Sequence, residues 1–323
     1  MKLHQLRYLL AVVEQGLNVT AAARTLHTSQ PGVSKQIKLL EDELGFQIFE
    51  RAGRNLTRIT TAGQAVVDHA VRVIEEVDNI RRLSADFQNE QRGSMSIATT
   101  HTQARYVLPD VIGRFRETYP DVELHLHQGT SEQIADLAAK NRIDFSIATG
   151  SHELFPTLAV MPCYRWHLDV VVPASHPLAS LEEPTLRDIS EYPIVTYVFS
   201  LQGRSSLADH FDRARLPMKV VLTARDSDVI QTYVRLGLGI DIVACMSHGD
   251  EDRDLVAIDG RRLFPQYESW IGVRRGRLLR GYMYEFLRQF APHLKRRVVD
   301  QALRAKDPLA VERIFEGVTL PEY

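Results

Sequence analysis

The chain has 323 residues, 44% of them hydrophobic and 25% charged, the balance of a folded globular protein and not of a disordered or fibrous one. Lys and Arg number 39 against 41 Asp and Glu, so a net charge of −2 excludes a chain that is basic throughout but leaves room for a local basic surface. No run approaches the ~18 apolar residues of a membrane span, and Cys163 and Cys245 stand in no disulfide or zinc-ligand spacing, so a reducing cytoplasm and no membrane are expected.

The chain opens on three short helical patterns. Leu3, Leu6, Leu10 and Val13 recur at the spacing of one helix face that stops at Gly16, and Arg7 and Glu14 inside that pattern argue for a folded helix and against a secretion signal. Asn18 suits the N-cap of a second helix whose Val19, Ala22, Ala23 and Leu26 share a face. Ser29 can cap a third, with Pro31 in its first turn, Val33, Ile37, Leu40 and Leu44 buried, and Gly45 as its C-terminal stop.

The outward arc of the third helix carries Pro31, Ser34, Lys35 and Lys38, with Gln30 at its N-terminal end, while Glu41, Asp42 and Glu43 are confined to the far end. Small, amide and basic groups in that order suit base edges and phosphates. Val19 to Lys38 therefore reads as a helix-turn-helix whose second helix enters a major groove. The stretch after it, with Arg51, Arg54 and Arg58 around Gly53-Arg54-Asn55, reads as a two-stranded wing able to grip the flanking backbone. Residues 1–65 hold eight Lys and Arg against five Asp and Glu. The alternative is a small helical bundle with a solvated basic face.

These residues, from LRYLLAVVEQG through NVTAAARTLHTSQPGVSKQIKLLEDELG to the wing, resemble the N-terminal domain of LysR-type transcriptional regulators over some 65 positions. Asn18-Val19 stands where that family more often has Ser and an aromatic, a change that keeps a cap and an apolar contact.

From Thr61 to Gln88 there is no Pro, and Val67, Ala70, Ile74 and Val77 recur at helical spacing. A rod of about 42 Å with a thin apolar seam is poorly covered by one small domain. Pairing with a second copy would cover it and set two recognition helices at a fixed separation. The alternative is packing along its own C-terminal domain.

After Gln91-Arg92-Gly93-Ser94, which reads as a hinge, strands and helices alternate, predicting an α/β region with largely parallel pairing. Strands are expected at 95–100, 122–129, 144–149, 166–173, 193–198, 219–224, 240–244 and 268–275, with helices at 102–120, 132–140, 205–214, 226–237 and 277–290. The late strand–helix pair suggests two lobes, the first about 93–162 and 267–323, the second about 163–266. The whole is an α+β or α/β chain with a winged helix-turn-helix at 1–60, a linker and dimerisation helix at 61–90 and a two-lobed, periplasmic-binding-protein-like effector domain at 91–323.

Such lobes leave a cleft at the carboxyl ends of their strands. Thr100, Thr102 and Gln103 lie where a strand gives way to a helix, and Thr149 ends a neighbouring strand, so neutral donors and a helix N-terminus would meet an anion there. The alternative is that these threonines only cap a helix. IATTHTQARYVLPDVIGRFRETYPDVELHLHQG, RIDFSIATG, PCYRW, YPIVTYVFSLQGRS, TARDSDVIQTYVRLGLGI and QFAPHL are similar to the CysB subfamily of the LysR regulators along essentially the whole chain. That resemblance implies regulation of cysteine-biosynthesis and sulfur-assimilation genes from double-stranded promoter DNA by a dimer through the linker helix, and beyond it a tetramer, with RNA polymerase as a further partner. It also implies a small effector and no cofactor, the effector being an acetylserine-type inducer or a sulfate or thiosulfate-like anion. Thr100, Thr102, Gln103 and Thr149 would hold the anionic group with Trp166 nearby. Gln202 stands where that subfamily has Thr, and Asp241 where it has a small residue, which bears on pocket size. A regulator of sulfonate or sulfate-ester use is the neighbouring reading, and a solute-binding protein that of another class. For an enzyme, His125 and His127 share a strand face but lack a third ligand at spacing, Cys163 lacks a nucleophile signature beyond His167, and Asp226 and Asp228 simply open a helix. No catalytic and no metal site is expected.

Overall fold

Side-chain caps delimit the first helices. Helix α1 (Leu3–Glu14) ends ahead of Gly16; α2 (Val19–Thr25) begins where Asn18 Oδ1 accepts from the Ala21 N–H at 3.0 Å; α3 (Gln30–Leu44) begins where Ser29 Oγ accepts from the Gly32 N–H at 3.2 Å and stops at Gly45 with φ 77°. In this computed structural model the described residues are 1–53, 55–88, 91–150, 152–198, 207–249 and 253–323, and within 61–88 the side chains of 75, 79 and 81–88 are not described. The chain divides into two units, Met1–Gln88 and Asn89–Tyr323.

In the first unit, strands β1 (Phe49–Ala52) and β2 (Asn55–Ile59) form an antiparallel wing, and α4 (Thr61–Gln88) follows. Gly63 is required where α4 crosses the chain entering the wing, because a Cβ there would lie 2.2 Å from the Ile48 carbonyl oxygen. The core joins Leu6, Leu9 and Val12 of α1 to Ala22 and Ala23, to Val33, Ile37 and Leu40, and to Val67 and Ala70 of α4. The buried face of α1 is thus displaced from the expected Leu3, Leu6, Leu10 and Val13. Leu3 is exposed, and Leu10 and Val13 only flank the core, because α1 is packed on by α2, α3 and α4. The same packing corrects the seam of α4. Val67, Ala70 and Ile74 face α1, and among the described side chains of α4 the large apolar groups left to solvent are Val73 and, at 60% exposure, Ile80.

In the second unit, β3 (Gly93–Thr99) leads through a π-helical turn at Gln103–Val107 into α5 (Leu108–Thr118), followed by β4 (Val122–Gln128), α6 (Ser131–Ala139), β5 (Phe145–Thr149) and β6 (Leu158–Trp166). A single residue separates β6 from β7 (Leu168–Pro173), after which come α7 (Leu186–Ser190), β8 (Ile194–Tyr197), α8 (Leu207–Arg213), β9 (Val220–Ala224), α9 (Ser227–Arg235), β10 (Ile240–Ala244) and β11 (Leu255–Ile258). The chain then returns through β12 (Tyr267–Arg274) to α10 (Gly281–Phe290), α11 (Arg296–Leu303) and α12 (Pro308–Phe315). One sheet has the order β4-β3-β5-β12-β6 and the other β11-β7-β10-β8-β9.

Pairing is mixed and not largely parallel. β3 is parallel to β4 and β5, and β8 to β9 and β10, but β12 is antiparallel to β5 and β6, and β7 to β10 and β11. The antiparallel strands are those on which the chain leaves the first lobe and returns to it. β6, β11, α7, α11 and α12 were not anticipated from the sequence, and β6 carries the first lobe to Trp166 instead of 162. Pro162 disguises β6, since a residue without an N–H reads as a strand breaker; here it sits at a bulge opposite Trp270. The terminal segment covers the free edge of β6, the Arg165 N–H bonding to the Pro321 carbonyl and the Tyr323 N–H to the Arg165 carbonyl, each at 2.9 Å.

Candidate nucleic-acid interface and interlobe site

On the first unit, Gln30, Pro31, Lys35 and Lys38 are exposed on α3 and Ser34 is half-buried, with the Gln30 amide donating to Ser34 Oγ at 3.0 Å. Lys35 and Lys38 make no ion pair among the described residues. They project from a helix whose opposite side is locked into the core, so two free cations and a small-residue stripe face outward from a rigid element.

The wing arginines differ from expectation. Arg51 pairs with Glu41 at 2.7 Å, and the buried Glu41 carboxylate also accepts from the Ile48 and Phe49 N–H groups at 2.9 and 3.2 Å. Glu41, one of the acidic residues at the far end of α3, is the clamp between α3 and the wing, and Arg51 compensates its charge. Arg58 makes two hydrogen bonds to Glu50 across the wing at 2.5 and 2.7 Å, which hold the Glu50 carboxyl below its usual range. Arg54 lies outside the described residues.

On the second unit, the site forms where β3 ends. Thr100 and Thr102 are half-buried and Gln103 is buried in the π turn, a geometry common at functional positions. Ser269 of β12, fully buried, ties the site together. Its Oγ lies 3.2 Å from Gln103 Nε2, 3.0 Å from Trp166 Nε1 and 3.0 Å from Thr149 Oγ1. A hydroxyl has one proton and two lone pairs. Since the amide and the indole can only donate, Ser269 accepts from both and gives its proton to Thr149, which leaves the Thr149 hydroxyl proton for another acceptor. The Tyr164 hydroxyl donates to Gln103 Oε1, fixing which end of that amide faces Ser269. Burial pushes the Tyr164 phenol up, so it remains a neutral donor.

From the other lobe, the Tyr197 hydroxyl meets Thr102 and Ser247, and burial raises its pKa as well. Beside this contact the Ser227 hydroxyl bonds to that of Tyr106 at 3.2 Å, the His101 ring lies 3.6 and 3.5 Å from Asp226 and Asp228, and Arg105 lies 3.8 Å from Asp228. Thr100, Thr102, Gln103, Thr149 and Trp166 are thus brought to one locality; Gln202 lies outside the described residues. Sequence reasoning missed Ser269, Tyr164 and Tyr197, because a single hydroxyl in an otherwise apolar strand carries no periodic signal.

Asp241 does not enter this site. It pairs with Val171 and Val195 on the sheet face covered by Ile230 and Val234 of α9, is fully buried, and has no hydrogen-bond partner for either carboxylate oxygen. Among the enzyme candidates, Cys163 is fully buried, which raises its thiol pKa, and His125 and His127 are exposed on β4 and join no group of three metal-ligating side chains among the described residues. A separate cavity of about 440 Å³ beneath α12, bounded by Phe155, Arg165, Val311 and Phe315, includes none of the interlobe donors.

A winged helix-turn-helix with free lysines on its second helix, carried in one chain with a two-lobed ligand-binding domain, defines the class of effector-responsive DNA-binding regulators. Family models agree with both parts: residues 3–64 match the bacterial regulatory helix-turn-helix proteins of the lysR family, and residues 88–295 match the LysR substrate binding domain. The chain belongs to the LysR family of transcriptional regulators. It is 47% identical over 320 residues to the HTH-type transcriptional regulator CysB of Haemophilus influenzae, covering 99% of both chains. It is 45% identical over 305 residues to the HTH-type transcriptional regulator SsuR of Burkholderia cenocepacia, covering 94% of this chain and 99% of the relative. Among solved structures, the cofactor-binding domain of the Cbl transcriptional regulator is 42% identical with a TM-score of 0.62, over 67% of this chain and 96% of that one. The relatives are regulators, a non-enzymatic class, and no described helix is long and apolar enough to cross a membrane.

Proposed function

We propose that this protein regulates sulfur-assimilation and cysteine-biosynthesis genes in the cytoplasm, binding promoter DNA through Gln30, Pro31, Ser34, Lys35 and Lys38, with Arg51 and Arg54 of the wing at the flanking backbone, under the control of a small anionic effector. The effector is an acetylserine-type inducer, with sulfate or thiosulfate as competing anions, held by Thr100, Thr102, Gln103, Thr149, Trp166 and Gln202. Residues 1–60 serve as the DNA-binding domain, 61–90 as linker and dimerisation helix, and 91–323 as the effector domain; Val73 and Ile80 supply the apolar stripe for pairing of α4, a tetramer follows from pairing of such dimers, and RNA polymerase is the partner in activation. The observation that carries the effector reading is the Ser269 network, which leaves protons of Thr149 and Gln103 to donate to an anion while spending no fixed cation on it. Neutral donors favour release as well as capture, which a metabolite sensor needs.

The test is footprint length and bending angle on a cysteine-biosynthesis promoter fragment, with and without acetylserine. A changed footprint at saturating acetylserine is expected; an unchanged one overturns control by this ligand. Thr100→Val, which removes one donor to a charged group, is expected to weaken anion binding about tenfold or more, and unchanged affinity would make that threonine structural only. Gln202, longer than the Thr that the subfamily resemblance leads one to expect, favours a second reading, a regulator of sulfonate or sulfate-ester use. Calorimetric preference for sulfate or adenylylated sulfate over acetylserine would select it.

A further inference from the structure

His167, which stood alone in the sequence, is the single residue joining β6 to β7, and the fold gathers acidic groups and a second histidine around it from three other places. Asp169 lies on β7, His248 follows β10, and Asp259 follows β11. His167 Nε2 is 3.1 Å from Asp169 Oδ1 and 3.6 Å from Asp259 Oδ1, and the ligand atoms of these three residues all lie within 4.8 Å of one another. We propose that His167, Asp169 and Asp259 bind a divalent first-row transition ion of the zinc class, with His248 holding Asp169 in its ligating pose.

Metal bonds of about 2.0–2.1 Å to nitrogen and oxygen in a tetrahedral site separate neighbouring ligand atoms by about 3.3–3.4 Å. The two distances from His167 straddle that value, and with all three ligand atoms within 4.8 Å of one another, capture draws the two carboxylates together around the ring nitrogen. The ligands are also braced. His248 Nε2 lies 2.7 Å from Asp169 Oδ2, the Gly260 N–H donates to Asp169 Oδ1 at 2.9 Å, and Arg261 holds Asp259 through its backbone N–H at 2.9 Å and through its guanidinium. Ligating carboxylates are typically fixed by such outer partners. His167 and Asp169 are 7% and 6% exposed, so their ordering cost is met on folding. Two carboxylates stand against the one Arg261 guanidinium, a charge balance that suits a cation. An imidazole in the set selects transition ions over Mg²⁺ or Ca²⁺. The site abuts the crossover from Trp166, whose indole bonds to Ser269, so a bound ion would brace the strand that carries one interlobe residue.

The experiment is Zn²⁺ titration of the full chain in chelator-treated buffer by calorimetry, with metal content measured after gel filtration, and a parallel Co²⁺ titration read by visible absorption. Uptake of one Zn²⁺ per chain, d–d bands of a nitrogen- and oxygen-ligated Co²⁺ and no heat from Mg²⁺ are expected. His167→Gln and Asp169→Asn should abolish that uptake, while His248→Gln weakens it about tenfold; His125→Gln, on an exposed strand, should leave it intact. Absence of stoichiometric uptake, or uptake retained in His167→Gln, overturns the assignment. The Co²⁺ spectrum of the unaltered chain decides the matter if a variant fails to fold, and its absence likewise overturns the proposal.

Discussion

Asp241 is a costly residue for the fold to bury. Its carboxyl is buried among Val171, Val195, Ile230 and Val234 with neither oxygen hydrogen-bonded, and burial raises its pKa well above the ordinary carboxylate range. The folded chain therefore retains a proton that the unfolded chain gives up above pH ~4, and stability falls as pH rises from there toward the folded pKa. Asp241→Val, which suits a strand with two valine neighbours, is expected to raise the melting temperature, and the gain should grow as pH rises above about 4. Melts at a series of rising pH values check it; a gain independent of pH would trace the effect to packing alone. Glu41 shows the opposite solution to the same problem, since its buried charge is met by two N–H groups and Arg51.

At the scale of elements, α3 leaves its lysines unpaired among the described residues while the wing engages its described arginines within the fold. Lys35 and Lys38 are free, whereas Arg51 and Arg58 are engaged by Glu41 and Glu50. Lys35→Ala is expected to reduce operator affinity and make its salt dependence shallower by about one unit of slope. Arg58→Ala, which frees Glu50 as it removes a cation, should change the slope less. Binding isotherms at several salt concentrations measure both; equal slopes for Lys35→Ala and the unaltered protein would remove Lys35 from the phosphate contacts. The helices and wing were legible because caps, a Gly stop and 3.6-residue spacing are local. The engagement of the arginines was not, because Glu41 and Arg51 meet only when the wing folds back on α3.

For the whole molecule, the two lobes of the second unit share one continuous core and are joined further by polar contacts at the first turn of α9, His101, Arg105 and Tyr106 meeting Asp226, Ser227 and Asp228. Those contacts border the proposed effector site, so a ligand bound there would bear on lobe placement. The two units have separate cores. A chain lacking residues 1–88 is therefore expected to keep effector affinity within a few-fold and lose operator binding. Gel-shift and calorimetry on that fragment check both, and retained operator affinity would overturn the placement of DNA recognition on α3.

The sequence by itself determined the helix-turn-helix, the 28-residue linker helix and the return of the chain to its first lobe, since capping, periodicity and strand–helix alternation are written in neighbouring residues. It also pointed to Thr100, Thr102, Gln103 and Thr149 through their position after strands. Tertiary structure alone decided that Ser269 joins three of the interlobe residues, that Asp241 faces α9, that α1 covers Val67, Ala70 and Ile74 of α4, and that His167 meets Asp169 and Asp259. The α1–α4 contact depends on helices meeting across the first core and the others on strands distant in sequence lying side by side about 4.8 Å apart, and no local pattern encodes which side chain then finds which.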